Sequence, residues 1–130
     1  MATLESRIAD LITQLGTDYK AIFAAIAAVT INTQTGTTYT LVLTDAGKAV
    51  ELNNASAITL TIPPNSSVAF PTGTTIEFAQ IGAGQVTFAP GAGVTIRSRG
   101  TVTKMAGQYG VASIYKRGTD EWVLTGDLTT

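Results

Sequence analysis

The stretch "IGAGQVTFAPGAGVTI", Ile81 to Ile96, comes nearest in this chain to a spacing that does chemistry, because glycine-rich loops cradle phosphates with bare backbone N–H groups. A dinucleotide-binding fingerprint needs a third glycine three residues after its second, at the start of a helix. After Gly84 that position holds Thr87, inside the strand-like run "VTF". A P-loop needs Gly-Lys-Ser/Thr after four residues, where this chain has Ala89 and Pro90. Pro90 and the β pattern also rule out the helix whose N-terminus would hold the anion. The glycines are therefore expected to turn two tight corners flanking one strand, at positions that require positive φ.

The other reactive side chains form no recognisable constellation. The chain has no histidine and no cysteine, which removes disulfides, thiolate chemistry, the usual zinc sites and every histidine-based triad. Its nine acids are scattered, and the adjacent pair Asp120-Glu121 falls in a turn segment. No EF-hand or repeat calcium motif is present. The serines and threonines lack a histidine to activate them, and nothing around Lys48, Lys104 or Lys116 suggests a lysine base. The expectation is a protein that is not an enzyme and that uses no cofactor and no metal.

Two surface features remain as candidate contacts. Between Val94 and Thr119 lie Arg97, Arg99, Lys104, Lys116 and Arg117 with no acid among them. Arg97 and Arg99 alternate after "VTI" and are expected on one sheet face, where they could meet an anion, a glycan or a neighbouring subunit. Tyr109, Tyr115 and Trp122 cluster in the last third of the chain, and sugar-binding surfaces present such rings. Trp122, in "DEWVL", is most simply a core or rim residue. The basic patch is too small for nucleic acid, and a net charge of −1 gives no reason to expect a nucleic acid or an acidic membrane as partner.

The elements that must carry these residues divide the chain in two. In the first thirty residues Ile8, Leu15, Ile22 and Val29 recur every seven positions, with Leu4, Leu11, Asp18 and Ala25 four residues ahead of each. This is a heptad, and it predicts a helix over 1–30 that forms a short coiled coil. Thr3 is placed to cap it, with Ser6 where a capping box has an acid. Gly16 costs about 1 kcal/mol relative to alanine and is a point where the helix could bend or divide. A lone helix of this length is marginal in water, so it must pack on its own β domain or on sister chains. The heptad favours the second, with Leu4, Ile8, Leu11, Leu15, Ile22 and Val29 at the interface. The longest apolar run, Ala21–Val29, is about half a bilayer span, and Glu5, Arg7 and Asp10 interrupt the place of a secretory leader; a soluble protein is expected.

Residues 31–38 read as a polar connector. From Tyr39 to the end the period becomes 2, in "YTLVL", "KAVEL", "ITLTI", "TIEF", "VTF", "VTI", "TVTK", "GVASIY" and "EWVL", separated by Gly-, Pro- and Asp-containing turns. With no helix-length pattern between them, these runs predict a mainly β domain over 39–130, an antiparallel sandwich or barrel. Only 13% of residues are charged, against a typical quarter. Solubility must then rest on hydroxyls, including those of twenty-three threonines, or on surface hidden against copies of the chain.

The phrases "YTLVLTDAGKAVELNNASAITLTIPPNSSVAFPTGTTIEFAQIGAGQVTFAPGAGVTIRS" and "GQYGVASIYKRGTDEWVLTGDL" together resemble a β domain of tailed-bacteriophage virion surface proteins of the tail-fibre and head-fibre type. "LESRIADLITQLGTDYKAI" is similar to the short helical stalks that precede such domains. The resemblance spans nearly the whole chain and contains no catalytic signature. It implies a homotrimer on the virion surface, made in the host bacterial cytoplasm, with bundled helices and a β knob. Its partners would be its own copies, other virion proteins and a host surface glycan. Two alternatives stand beside a short fibre or spike: a capsid-decorating (cement) protein and a carbohydrate-binding module.

Overall fold

The structure is a computed structural model that describes residues 3–26 and 28–130, the side chains of 19–26 excepted. Among these residues one helix, α1 (Leu4–Ile26), precedes eleven strands: β1 (Ile31–Gln34), β2 (Thr38–Thr40), β3 (Ala49–Leu52), β4 (Ile58–Ile62), β5 (Thr75–Gln80), β6 (Val86–Pro90), β7 (Thr95–Ser98), β8 (Lys104–Met105), β9 (Val111–Gly118), β10 (Glu121–Gly126) and β11 (Leu128–Thr129).

Helix α1 starts where the sequence predicts. The Thr3 hydroxyl accepts the Ser6 N–H at 3.1 Å, and the Ser6 hydroxyl donates back to the Thr3 carbonyl at 3.0 Å, which satisfies one of the orphan donors of the first turn. The helix runs unbroken through Gly16 and is described as far as Ile26, and the β-branched series Val29, Thr30, Ile31 favours extended backbone and is not helical. Val29, expected in the helical seam, therefore lies beyond the helix. Ile22 lies in the helix, with its side chain outside the described residues.

Through β9 successive strands alternate between two sheets, ordered β1-β3-β5-β9-β10-β7 and β11-β8-β6-β4-β2, and β10 returns beside β9 in the first. An all-antiparallel sandwich or barrel is not what forms. Five of the nine strand pairs are parallel. A parallel neighbour needs a crossover of a dozen or more residues, which a helix usually supplies; here a strand of the opposite sheet supplies it. The chain winds through β1 and β2, then β3 and β4, then β5 and β6, and each coil lies in register on the last: Asn32 beside Val50 beside Phe78 in one sheet, Tyr39 beside Leu60 beside Phe88 in the other. Antiparallel β8 and β9 then pair with β6 and β5 and end the coiling.

The segment expected as a connector thus contains β1, the first strand of the stack. Its alternation gives no core signal because its inward residues, Asn32 and Gln34, are polar while the apolar Ile31 points outward. The predicted strand "YTLVL" ends at Thr40: Leu41 is fully buried, but Leu43 sits in the 3-10 turn Leu43–Asp45 and is exposed.

Inward residues of both sheets make one core, including Val50, Leu52, Phe78, Ile114 and Trp122 from one and Ile58, Leu60, Ile62 and Phe88 from the other. Phe78 and Phe88 meet edge to face across it, with centroids 5.1 Å apart. On the outer face of the second sheet Thr38, Thr59 and Thr87 lie side by side. These threonines satisfy strand propensity with a β-branched side chain while presenting a hydroxyl to water.

The glycines of the 81–96 stretch do turn corners, though for a different reason than expected at most of them. Only Gly93 has positive φ, at 79°. A Cβ on Gly82 would fall 2.4 Å from the Asn54 carbonyl oxygen, and one on Gly84 only 1.8 Å from that of Ser56. The corner after β5 rests directly on the corner after β3, and only a residue without a side chain fits. Asn54 links three such corners: its side-chain amide donates to the Thr35 carbonyl at 2.8 Å, and its own carbonyl accepts the Gly84 N–H at 2.8 Å. Gly84→Ala is expected to cost about 3 kcal/mol through overpacking and to lower the midpoint of thermal unfolding by about 10 °C. At Gly16, where a Cβ meets nothing within 4 Å, alanine should instead stabilise the helix by up to ~1 kcal/mol. Calorimetry of the two variants checks both signs.

Candidate functional site

Helix α1 supplies the first candidate surface. Residues 3–18 are all exposed. Leu4, Ile8, Leu11 and Leu15, expected at an interface, are 48–73% accessible, and Ile12 beside them is as open. The helix rises about 35 Å over its length, so along its described side chains an apolar stripe several turns long stands clear of the β domain of its own chain. Val29 is also exposed.

The basic candidates separate. Arg97 leaves the outer face of β7, and its Nε donates to Glu121 Oε1 at 2.9 Å; Arg117 Nη1 reaches the same oxygen at 2.9 Å. The hydrogen bond from Arg97, with Arg117 beside it, holds the Glu121 carboxyl below the usual carboxylate range. Arg99 does not share that face. It opens the 3-10 turn Arg99–Thr101, because Gly100 takes a left-handed φ of 68° and breaks the alternation. It borders instead a depression of about 370 Å³ lined by Val102, Leu124, Thr125, Gly126 and Leu128.

The aromatic candidates do not assemble either. Trp122 is buried in the core, edge to face with Phe70 at 5.5 Å, and is no surface contact. Tyr115 is exposed on the outer face of β9, beside Thr75. Tyr109 lies in the turn before the other end of that strand, six residues earlier, and is also exposed. No family model matches the chain, and no curated protein matches it. No helix among the described residues is long and apolar enough to cross a membrane.

Two polar clusters inside the domain were not legible beforehand. At the helix-proximal end Asp45 is fully buried. One of its oxygens accepts the Asn32 amide at 2.8 Å, and the other accepts the Tyr39 hydroxyl at 2.8 Å and the Val42 N–H at 2.9 Å. The Gln34 amide extends the network to Asn32 at 2.8 Å. Every hydrogen bond to the Asp45 carboxyl comes from a donor, so both of its oxygens are satisfied as acceptors. Burial, followed by the hydrogen bond to Asp45, pushes the Tyr39 phenol up to about 12. Asp45 stands in "TDAGK", which reads as an ordinary turn; its three donors come from residues 3 to 13 positions away and give no local signal.

The second cluster centres on Lys116, buried on the inner face of β9. Its Nζ donates at 2.6 Å to Asn65 Oδ1 and at 2.6 Å to the Phe70 carbonyl, and lies 6.0 Å from the centre of the Trp122 ring. Asp120 accepts the Asn65 N–H at 2.7 Å. The ammonium thus ties the long β4–β5 loop to the sheet, which is a structural duty rather than that of a base.

These clusters generate two expectations. Lys116→Met leaves a carbonyl and an amide oxygen unpaired in the interior and should cost about 2–4 kcal/mol in urea unfolding. For Tyr39 the folded-state value lies above the ordinary 10.0. Its contribution to stability is therefore complete below pH 10 and is lost as pH rises through 10 toward 12. Unfolding curves between pH 8 and 11.5 should show that decline, and Tyr39→Phe should remove the part due to this group.

Proposed function

We propose that the chain is a non-enzymatic virion structural protein of a tailed bacteriophage, a short homotrimeric fibre or spike on the particle surface. In this reading the α1 helices of three copies bundle together toward the particle and the β domains form a knob turned outward, available for host attachment. The observation that carries it is the bare apolar stripe of α1. A monomeric soluble protein rarely exposes a contiguous apolar surface of this extent, and an isolated helix of this length is marginal in water. Sister helices offer the same stripe in the same heptad register, so a parallel bundle buries it without any further partner. Ile12, next to Leu11, widens the stripe beyond a two-helix seam and favours three chains over two.

The β domain fits the passive half of this role. Its buried polar side chains Asp45, Gln80 and Lys116 are all engaged in holding strands, corners or the long loop. The outward residues of its second sheet are largely threonines. The absence of histidine and cysteine from the sequence is in keeping with structural work.

Light scattering on the purified full chain tests the reading. The mass should be three times the 13.4 kDa of one chain. Replacing both Ile8 and Leu15 by Asp should reduce it to one, because six carboxylates would be forced into an apolar seam. The β domain of that variant should keep its unfolding midpoint within a few degrees. A wild-type monomer at micromolar concentration would overturn the proposal, as would a double variant that stays trimeric. Electron microscopy of an intact particle labelled at this protein then distinguishes a tail position from a head position.

A further inference from the structure

The turn Gly107–Gly110 contains a residue that the backbone disfavours. The Gly110 N–H bonds the Gly107 carbonyl at 3.0 Å, and Tyr109, third in the turn, has φ of 64°. Positive φ at that position is the mark of a type II turn, where glycine is the usual occupant because a Cβ is strained there. Tyrosine is held in place by its neighbours. Its N–H donates to the Gln80 carbonyl at 2.6 Å, and the Gln108 amide donates to the Ile81 carbonyl at 3.0 Å. The strain wins no burial, since the tyrosine is 72% exposed. A strained conformation that presents a side chain to solvent on a rigid turn points to a contact made by that side chain.

The surroundings indicate what it would contact. Asp127 is fixed beside the turn by its backbone: its N–H donates to Val111 and its carbonyl accepts from Ala106, both at 2.9 Å. A Cβ placed on Gly110 would lie 3.6 Å from the Cβ of Asp127, so this exposed carboxylate stands close to the turn. The corner beneath, Gly82 to Gly84, presents only the small Ala83 to solvent, and the next corner presents Asn53 and Ser56. An aromatic ring, a carboxylate, amides and a hydroxyl on an open corner match the two faces of a sugar: C–H groups that pack on a ring, and vicinal hydroxyls that bond planar polar groups. Arg97 and Arg117 are engaged away from this turn, on Glu121, and the cation nearest in the chain is Lys104 on β8.

We propose that the Gln108–Tyr109 turn and Asp127 form a binding site for neutral saccharides. The carboxylate selects against anionic sugars. A single ring on an open corner gives weak binding per site, which repetition on an oligomer would strengthen. The site does not depend on the virion reading; it requires only the β domain.

The test uses saturation-transfer NMR on the full chain. The probes are glucose, galactose, mannose, N-acetylglucosamine and their β-linked disaccharides, with glucuronate and sialyllactose as anionic counterparts. At least one neutral sugar should receive saturation, and the anionic ones should not. Tyr109→Gly separates the ring from the fold: relief of the strained φ should raise the unfolding midpoint by a few degrees, leave the oligomeric mass unchanged and reduce binding at least tenfold. Tyr109→Phe should keep most of the binding, and Asp127→Asn should weaken it while narrowing the preference for neutral over anionic sugars. The proposal fails if no neutral sugar is saturated, if Tyr109→Gly binds like wild type, or if anionic sugars bind equally well. It fails too if Tyr109→Gly changes the oligomeric mass, since the ring would then be an intersubunit contact.

Discussion

Successive coils of the β domain are joined by parallel backbone hydrogen bonds, and that ladder sets a separation of about 4.8 Å between them. Every other feature of the domain conforms to this spacing. Inward residues must stack in rows, so Val50 and Phe78 follow one another, as do Leu60 and Phe88. Outward residues must tolerate close neighbours of their own kind, which Thr38, Thr59 and Thr87 do without charge repulsion. The corners have least room, because there the chain leaves the ladder and backbone meets backbone. Gly82 and Gly84 are the answer at that point, and the amide of Asn54 replaces ladder bonds with bonds between corners.

A stack of coils has ends, and each end must close an apolar core. At the helix-proximal end the inward positions turn polar: Asn32, Gln34 and Tyr39 surround the buried Asp45 in place of the aliphatic residues of the next coil. Such a layer caps the stack as the terminal units of repeat proteins do. Because the network is fully hydrogen-bonded, burial of the carboxylate is tolerated. At the other end antiparallel strands replace the coil, and the inward row Ile76, Ile114, Leu124 finishes on Ser98 at the sheet edge. The Ser98 hydroxyl is buried there without a partner.

This construction separates stability from contact. The groups that hold the domain together, Asp45, Lys116 and the glycine corners, are buried or filled. What stays open includes the apolar stripe of α1, the depression beside Arg99 and the strained turn at Tyr109. A frame with few moving parts suits surfaces that bind by being presented rather than by closing around a ligand.

Local patterns in the sequence were enough for the N-terminal helix with its Thr3 cap and for the place of nearly every strand from β2 to β10, because capping and period-2 alternation are properties of neighbouring residues. They were enough as well to show that Gly82–Gly93 fits neither phosphate-loop template, since those templates are local too. Strand direction was not among them: "ITLTI" alternates identically in a parallel and an antiparallel sheet, and the choice depends on a strand some twenty residues away. For the same reason β1 passed as a connector and Asp45 as a turn residue. Arg97 and Arg99 look like one alternating pair until Gly100 turns the chain, and the strain at Tyr109 exists only because Gln80 and Ile81 hold its turn. Contacts between distant segments decided these matters, and no window along the chain contains them.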